Sequence, residues 1–191
     1  VKIKITEYNG TAGSKLLAVV RRTNMQLVIR SIFFTITLPG VGILLIPYLI
    51  LLISDSNTSL DFSPVSLSGI ILWIISFFCL LYCIWSFAFH GRGTLAPLDP
   101  PKLLVVQGLY QYTRNPMYLA VFGALISEAL IFHSFGILMY SLIAFVLFHI
   151  FVVHYEEPKL LSEFGIAYDQ YRQAIPRWGI KVQPYSPNST N

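Results

Sequence analysis

Arg114-Asn115-Pro116 opens an apolar run, and it combines a favoured helix N-cap with the residue favoured at the first helical position. The triplet predicts a helix start. Free amide N–H groups at such an end, beside Arg114, make a natural anion site. The plainer reading is a capped helix with an arginine snorkelling to an interface. Glu156-Glu157 closes the following apolar run, preceded by His154 and Tyr155. Adjacent carboxylates at a membrane boundary repel each other and pair poorly with anionic head groups, so they call for a cation, a hydroxyl-rich ligand or full solvation. An anion-binding helix end beside two carboxylates suits a polar ligand carrying both charges. Cys79 and Cys83 lie on one helical face with no His or carboxylate at metal-ligand spacing, which reads as packing thiols; no metal is expected.

The elements that must position these groups are apolar. Of 191 residues, 55% are hydrophobic and only 12% charged, about half the charged content of a soluble domain. Runs 31–53 and 65–89 carry no charged residue; 116–132 carries only Glu128, and 135–153 only His149. Each is near the roughly 17 to 25 residues a bilayer crossing needs. His133 and Ser134 alone separate the last two, which predicts a tight helical hairpin. The expected fold is all-α: one integral membrane helical bundle, residues 1–191, with about four transmembrane helices. Pro39, Gly40, Gly42 and Pro47 punctuate the first run, making it one kinked helix or two short re-entrant pieces.

Basic residues near helix ends are retained on the cytoplasmic side. All 13 fall before the first run (Lys2, Lys4, Lys15, Arg21, Arg22, Arg30), in loop 90–115 (Arg92, Lys102, Arg114) or in tail 154–191 (Lys159, Arg172, Arg177, Lys181). The other two connections have none, and Asp55 and Asp61 lie in the first of them. Both termini and the chemistry-bearing face are therefore expected in the cytoplasm. The net charge of +4 is that of a face lying on anionic lipid, so the partner is the bilayer and no nucleic acid is expected.

Residues 1–24 are polar and lack a secretory signal, and read as a cytoplasmic lead-in. Loop 90–115 is too rich in Gly and Pro for a continuous helix. After the last run, Leu160, Phe164, Tyr168 and Tyr171 fall at helical spacing, an amphipathic helix on the membrane surface or against the loop, ended by Pro176. Residues 183–191 are expected to be loose. Glu128 suits a structural pairing or a position near the opposite surface, and His149 an interhelical hydrogen bond.

The ordered set Gly108-Leu109-Tyr110, Arg114-Asn115-Pro116-Met117-Tyr118, Glu156-Glu157, Phe164-Gly165, Tyr168, Tyr171 and Ile175-Pro176-Arg177 resembles the isoprenylcysteine carboxyl methyltransferase and phospholipid N-methyltransferase superfamily. These are membrane enzymes that use S-adenosylmethionine. The resemblance covers roughly the second half of the chain. It implies a cofactor at the cytoplasmic mouth of the last two spans, under the preceding loop. Lys102, Leu103, Leu104, Val105 and Tyr110 would line it; Asn115, Pro116, Met117 and Tyr118 would hold its amino-acid end; Glu156 would bind its polar groups. Glu156 and Arg114 are the implied catalytic residues, with Glu157 behind them or paired with Arg114 or Arg172. Relatives commonly have His where this chain has Asn115, which preserves the cap. Enzymes acting on prenylcysteine carry Arg where this chain has Val152, which points away from a prenylated-protein substrate.

The activity implied is methyl transfer to a lipophilic acceptor, an in-line displacement in which positioning carries much of the catalysis. A carboxylate acceptor would be helped by excluding water. An amine must lose a proton, for which Glu156, Glu157 or His154 are candidates. Phospholipid amine methylation is the alternative within the class, and a non-enzymatic transport or assembly protein the alternative outside it. The sequence leaves the oligomeric state open.

Overall fold

The computed structural model describes residues 40–54, 62–90 and 104–185, and all regular structure among them is helical. Helix α1 runs Val41–Ile53 and α2 Pro64–His90. After a 3-10 turn at Gly108–Gln111 comes α3, Pro116–Ile131, then α4, Phe135–Phe151. A π-helical turn at Val152–Glu156 leads into α5, Glu157–Phe164, which is followed by α6, Ile166–Ala174.

Pro64–Ser86 and Phe135–Phe164 are long and apolar enough to cross a membrane, whereas Val41–Ile53 and Pro116–Ile131 are apolar but shorter. The 16 residues of α3 rise about 24 Å, short of the ~30 Å hydrocarbon core. The basic residues before position 31, residues 31–39 of the first expected span, Asp55 and Asp61 lie outside the described residues.

Polarity is arranged for an apolar solvent. Ile71, Ile74 and Phe78 of α2 and Ile143, Val146 and Leu147 of α4 face outward, while Ser66, Ser76, Ser127 and Ser141 are buried. Helices in lipid gain nothing by hiding leucine, so they associate through small residues that let backbones approach. At the α2–α3 contact, a Cβ on Gly69 would lie 2.9 Å from the Ser127 carbonyl, and one on Gly123 would lie 2.5 Å from Ser76 Oγ. The carbonyl cannot swing away, so Gly69→Ala must separate the helices. It is expected to destabilise by about 1–3 kcal/mol, read as a lower unfolding midpoint in detergent.

The predicted hairpin of α3 and α4 is present. Its turn places His133 at φ 48°, and Ser134 Oγ caps α4 by accepting from Ile137 N–H at 3.3 Å. Cys79 and Cys83 are free thiols, as expected, with Cys83 fully buried.

Both prolines inside helices are accommodated by the same device. Pro47 and Pro158 have no N–H to donate four residues back. The residue before each, Ile46 or Glu157, instead donates five residues back, to Val41 or Val152, so the helix continues through a π turn. Residues 41–53 thus form one helix rather than two pieces.

Three expectations need correction. The last helix does not stop near residue 153 but continues to Phe164. The amphipathic segment is two helices, because Gly165 adopts φ 53°, ψ −127°, a conformation reserved for glycine. Its predicted face does bury Tyr168 and Tyr171, with Leu160 and Phe164 beside them, against Leu104 and Val106 of the loop, one of the two placements expected. The tail is also not loose from residue 183, since Tyr185 N–H donates to the Gln111 carbonyl at 3.1 Å.

Candidate active site

Three segments meet where α3 begins and the π turn ends. Residues 104–115 are anchored on α2, where Val105 and Tyr110 pack with Cys83. Gly108, at φ 59°, lies so close to the Tyr82 ring that no side chain fits there. The Tyr171 hydroxyl donates to the Tyr110 carbonyl at 2.6 Å, clamping the same turn from the α6 side. Burial holds the Tyr110, Tyr168 and Tyr171 phenols above their ordinary range, so all three stay neutral.

The tail then runs beside the segment that leads into α3. Arg114 N–H donates to the Pro176 carbonyl at 3.0 Å, and Lys181 N–H to the Tyr112 carbonyl at 2.8 Å. Asn115 occupies the N-cap position, but its side chain does not cap; Nδ2 donates to the Arg177 carbonyl at 3.1 Å. Asn115 has been drawn to the tail because an amide can donate as well as accept. With Pro116 lacking an N–H, the amide N–H groups of Met117 and Tyr118 are left at the α3 terminus without a side-chain cap.

Across from this terminus, the Tyr118 hydroxyl donates to Glu156 Oε2 at 2.8 Å, so the hairpin brings the start of α3 beside the end of the π turn. Glu156 is half-buried. Its carboxyl is raised above the ordinary range by burial first and by the Glu157 charge, against the lowering effects of the Tyr118 hydrogen bond and Lys159. Removing the Tyr118 hydroxyl therefore raises it further. If Glu156 works ionised, activity falls as pH drops through its folded pKa, and Tyr118→Phe is expected to move that acid limb to higher pH. A pH–rate profile of both proteins checks the sign.

Glu157 has a different environment. Arg177 donates to both its oxygens, Nε to Oε1 at 2.6 Å and Nη2 to Oε2 at 2.9 Å, and Arg114 Nη1 lies 2.9 Å from Oε1. Burial pushes its carboxyl up, but the Arg177 hydrogen bonds and the charges of Arg114, Arg177 and Arg172 outweigh it and hold the group below the ordinary range. Of the expected partners, Arg114 is in place, while Arg172 bonds Asp169 instead, Nε to Oδ1 at 2.7 Å. Arg114 Nη1 meets Glu157 off the line of its N–H bonds, and neither Nε nor Nη1 has an aligned hydrogen bond among the described residues. With Nη1 ion-paired to Glu157, the buried Nε is the donor left for a further acceptor.

Sequence reasoning included Arg177 in the recognised set without giving it a role, and it missed Trp178. Two adjacent glutamates ask for more than one cation, and Arg177 sits just after the helix-ending proline, so a signal existed for it. Trp178 had none. Its Nε1–H donates to His149 Nδ1 at 2.9 Å and its ring lies 5.0 Å from Phe145 and 6.3 Å from Tyr118. His149 does make a hydrogen bond, but to the tail rather than to another membrane helix. Of the remaining expected residues, Leu104 packs under α6, Lys102 and Leu103 lie outside the described residues, and Pro116 and Met117 sit at the α3 start.

The profile of the phospholipid methyltransferase family matches residues 65–167, which include Arg114, Tyr118, Glu156 and Glu157 but not the tail. The chain belongs to that family. A relative of this phospholipid methyltransferase family member, the protein-S-isoprenylcysteine O-methyltransferase of Schizosaccharomyces pombe, is 37% identical to it over 83 residues. That match covers 43% of this chain and 34% of the yeast protein, so it spans about a third of the relative's length. No solved structure matches this family member.

Proposed function

We propose that this chain is an S-adenosylmethionine-dependent methyltransferase. Its acceptor is a lipophilic molecule with a carboxylate or amine head group, and the reaction takes place at the cytoplasmic mouth of a bundle of about four membrane spans. Family membership supports the chemistry. The single observation that carries the site is the hydrogen bond from Tyr118 at the uncapped start of α3 to Glu156 at the end of the π turn.

The residues present fit a methyl donor with an amino-acid end. Met117 and Tyr118 N–H groups and the Nε donor of Arg114 suit its carboxylate, and Glu156 suits its ammonium. When bound, the group supplies an electrophilic methyl on a sulfonium. The chain's own contribution is positional. Glu156 is oriented by Tyr118, and Arg114 is held by Glu157. The tail across residues 111–115 keeps water from one side of the mouth, which favours attack by a carboxylate. An amine acceptor also needs a proton acceptor, and with Glu156 facing the donor's ammonium and Glu157 occupied by arginines, His154 is the candidate.

The yeast relative's name points to an O-methyl acceptor and the family's name to a phospholipid. Membranes with and without the protein, supplied with methyl-labelled donor and analysed by lipid mass spectrometry, identify the product. Absence of any labelled lipid, together with no calorimetric binding of S-adenosylhomocysteine to folded protein, would overturn the reading and favour a non-enzymatic membrane protein.

A further inference from the structure

Glu128 stands apart from that mouth. It lies 12 positions after Pro116 on α3, about 18 Å along the helix from its start. The residue is only 6% exposed and sits among mostly apolar side chains. Trp73 Nε1–H donates to Oε1 at 3.4 Å, while Oε2 has no hydrogen-bond partner among the described residues. Beside it a cavity of about 390 Å³ opens between α1, α2 and α3, walled by Leu44, Tyr48, Leu51, Ile70 and Phe132. The volume is that of a small-ligand pocket, about 300–1,000 Å³. A buried oxygen without a partner is costly, so a ligand that supplies one hydrogen bond and fills the apolar space gains on both counts.

We infer that this cavity binds a long-chain aliphatic alcohol, its hydroxyl on Glu128 Oε2 and its chain against the walls of α1 and α2. A hydroxyl both donates and accepts, so it satisfies the carboxyl in either protonation form. An ammonium head can only donate and would bring a charge into an apolar cavity, where desolvation opposes it. A fatty acid would set a second carboxyl against the first. The site is separate from the methyl-transfer mouth and needs none of its residues.

The test uses the full chain in nanodiscs and a diazirine-bearing long-chain alcohol. Light-induced labels are expected on peptides carrying Tyr48, Ile70 or Phe132, displaced by unlabelled alcohol. Labelling falls roughly tenfold in Glu128→Leu, which removes the acceptor. Ile70→Trp fills the cavity with Glu128 intact and is expected to abolish labelling; it decides the matter alone if Glu128→Leu fails to fold. Glu156→Gln keeps the labelling, so failure of this site and failure of the methyl-donor site are distinguishable. Undiminished labelling in Ile70→Trp, or displacement equally well by a headless alkane or better by an alkylamine, would overturn the inference.

Discussion

Glu156→Gln is expected to weaken binding of S-adenosylhomocysteine by roughly 10- to 100-fold, the worth of one charge-assisted hydrogen bond, and to abolish measurable methyl transfer. Glutamine keeps the shape and can still accept from the Tyr118 hydroxyl, so the fold should hold. What it loses is the negative charge facing the donor's ammonium. Calorimetry on detergent-purified protein measures the binding loss, and an unchanged unfolding midpoint shows that it is not misfolding. Retained affinity in a folded Glu156→Gln protein would remove this residue from the donor site. A parallel loss with Asn115→Ala would be expected to be smaller, because Asn115 acts only by holding the tail.

Glu157→Ala should behave in the opposite way, as a stability mutation first. It strands Arg114 and Arg177, whose side chains are 11% and 30% exposed, and breaking such a partly buried ion pair costs roughly 3 kcal/mol. The expected results are a lower unfolding midpoint and rapid tryptic cleavage at Arg177 or Lys181 as the tail comes away. Arg177→Ala should give much the same phenotype, and a double mutant should cost little more than either alone. Independent, additive effects would show that the contacts do not work as a unit. The folded pKa of Glu157 is depressed, so the clamp contributes fully above the unfolded carboxylate's value of about 4.3 and is lost as pH falls through the lower folded value. The clamped tail should therefore resist mild acid and release only below that range.

Which parts of this molecule can be read from sequence follows from the range of the interactions involved. The α3–α4 hairpin was legible because its cues are local: Pro116 marks a start, and His133-Ser134 interrupts two apolar runs. The pairing of the α3 start with Glu156 followed from that hairpin. The π turns were not legible, since a single donation five residues back leaves the apolar pattern almost unchanged. Asn115 satisfied every rule for an N-cap, yet its amide found a carbonyl 62 residues away instead. Gly165 was part of a recognisable motif, but only its positive φ revealed that it divides the helix. Trp178 illustrates the limit: its partners are set by a tail path that no periodicity encodes.

The ties from residues 176–185 back to residues 111–115 bear on biosynthesis. During translation the hairpin of α3 and α4 can enter the bilayer and pair while Arg177 has yet to be added. Until then Glu157 lacks the two hydrogen bonds that Arg177 donates, and the Asn115 amide lacks its Arg177 carbonyl. The proposed methyl-transfer mouth would thus be completed late in chain order, and a nascent chain stalled before Pro176 would lack the tail contacts that border it. Contacts that span so much sequence also close slowly compared with helix pairing, so docking of the tail is the natural last step of maturation.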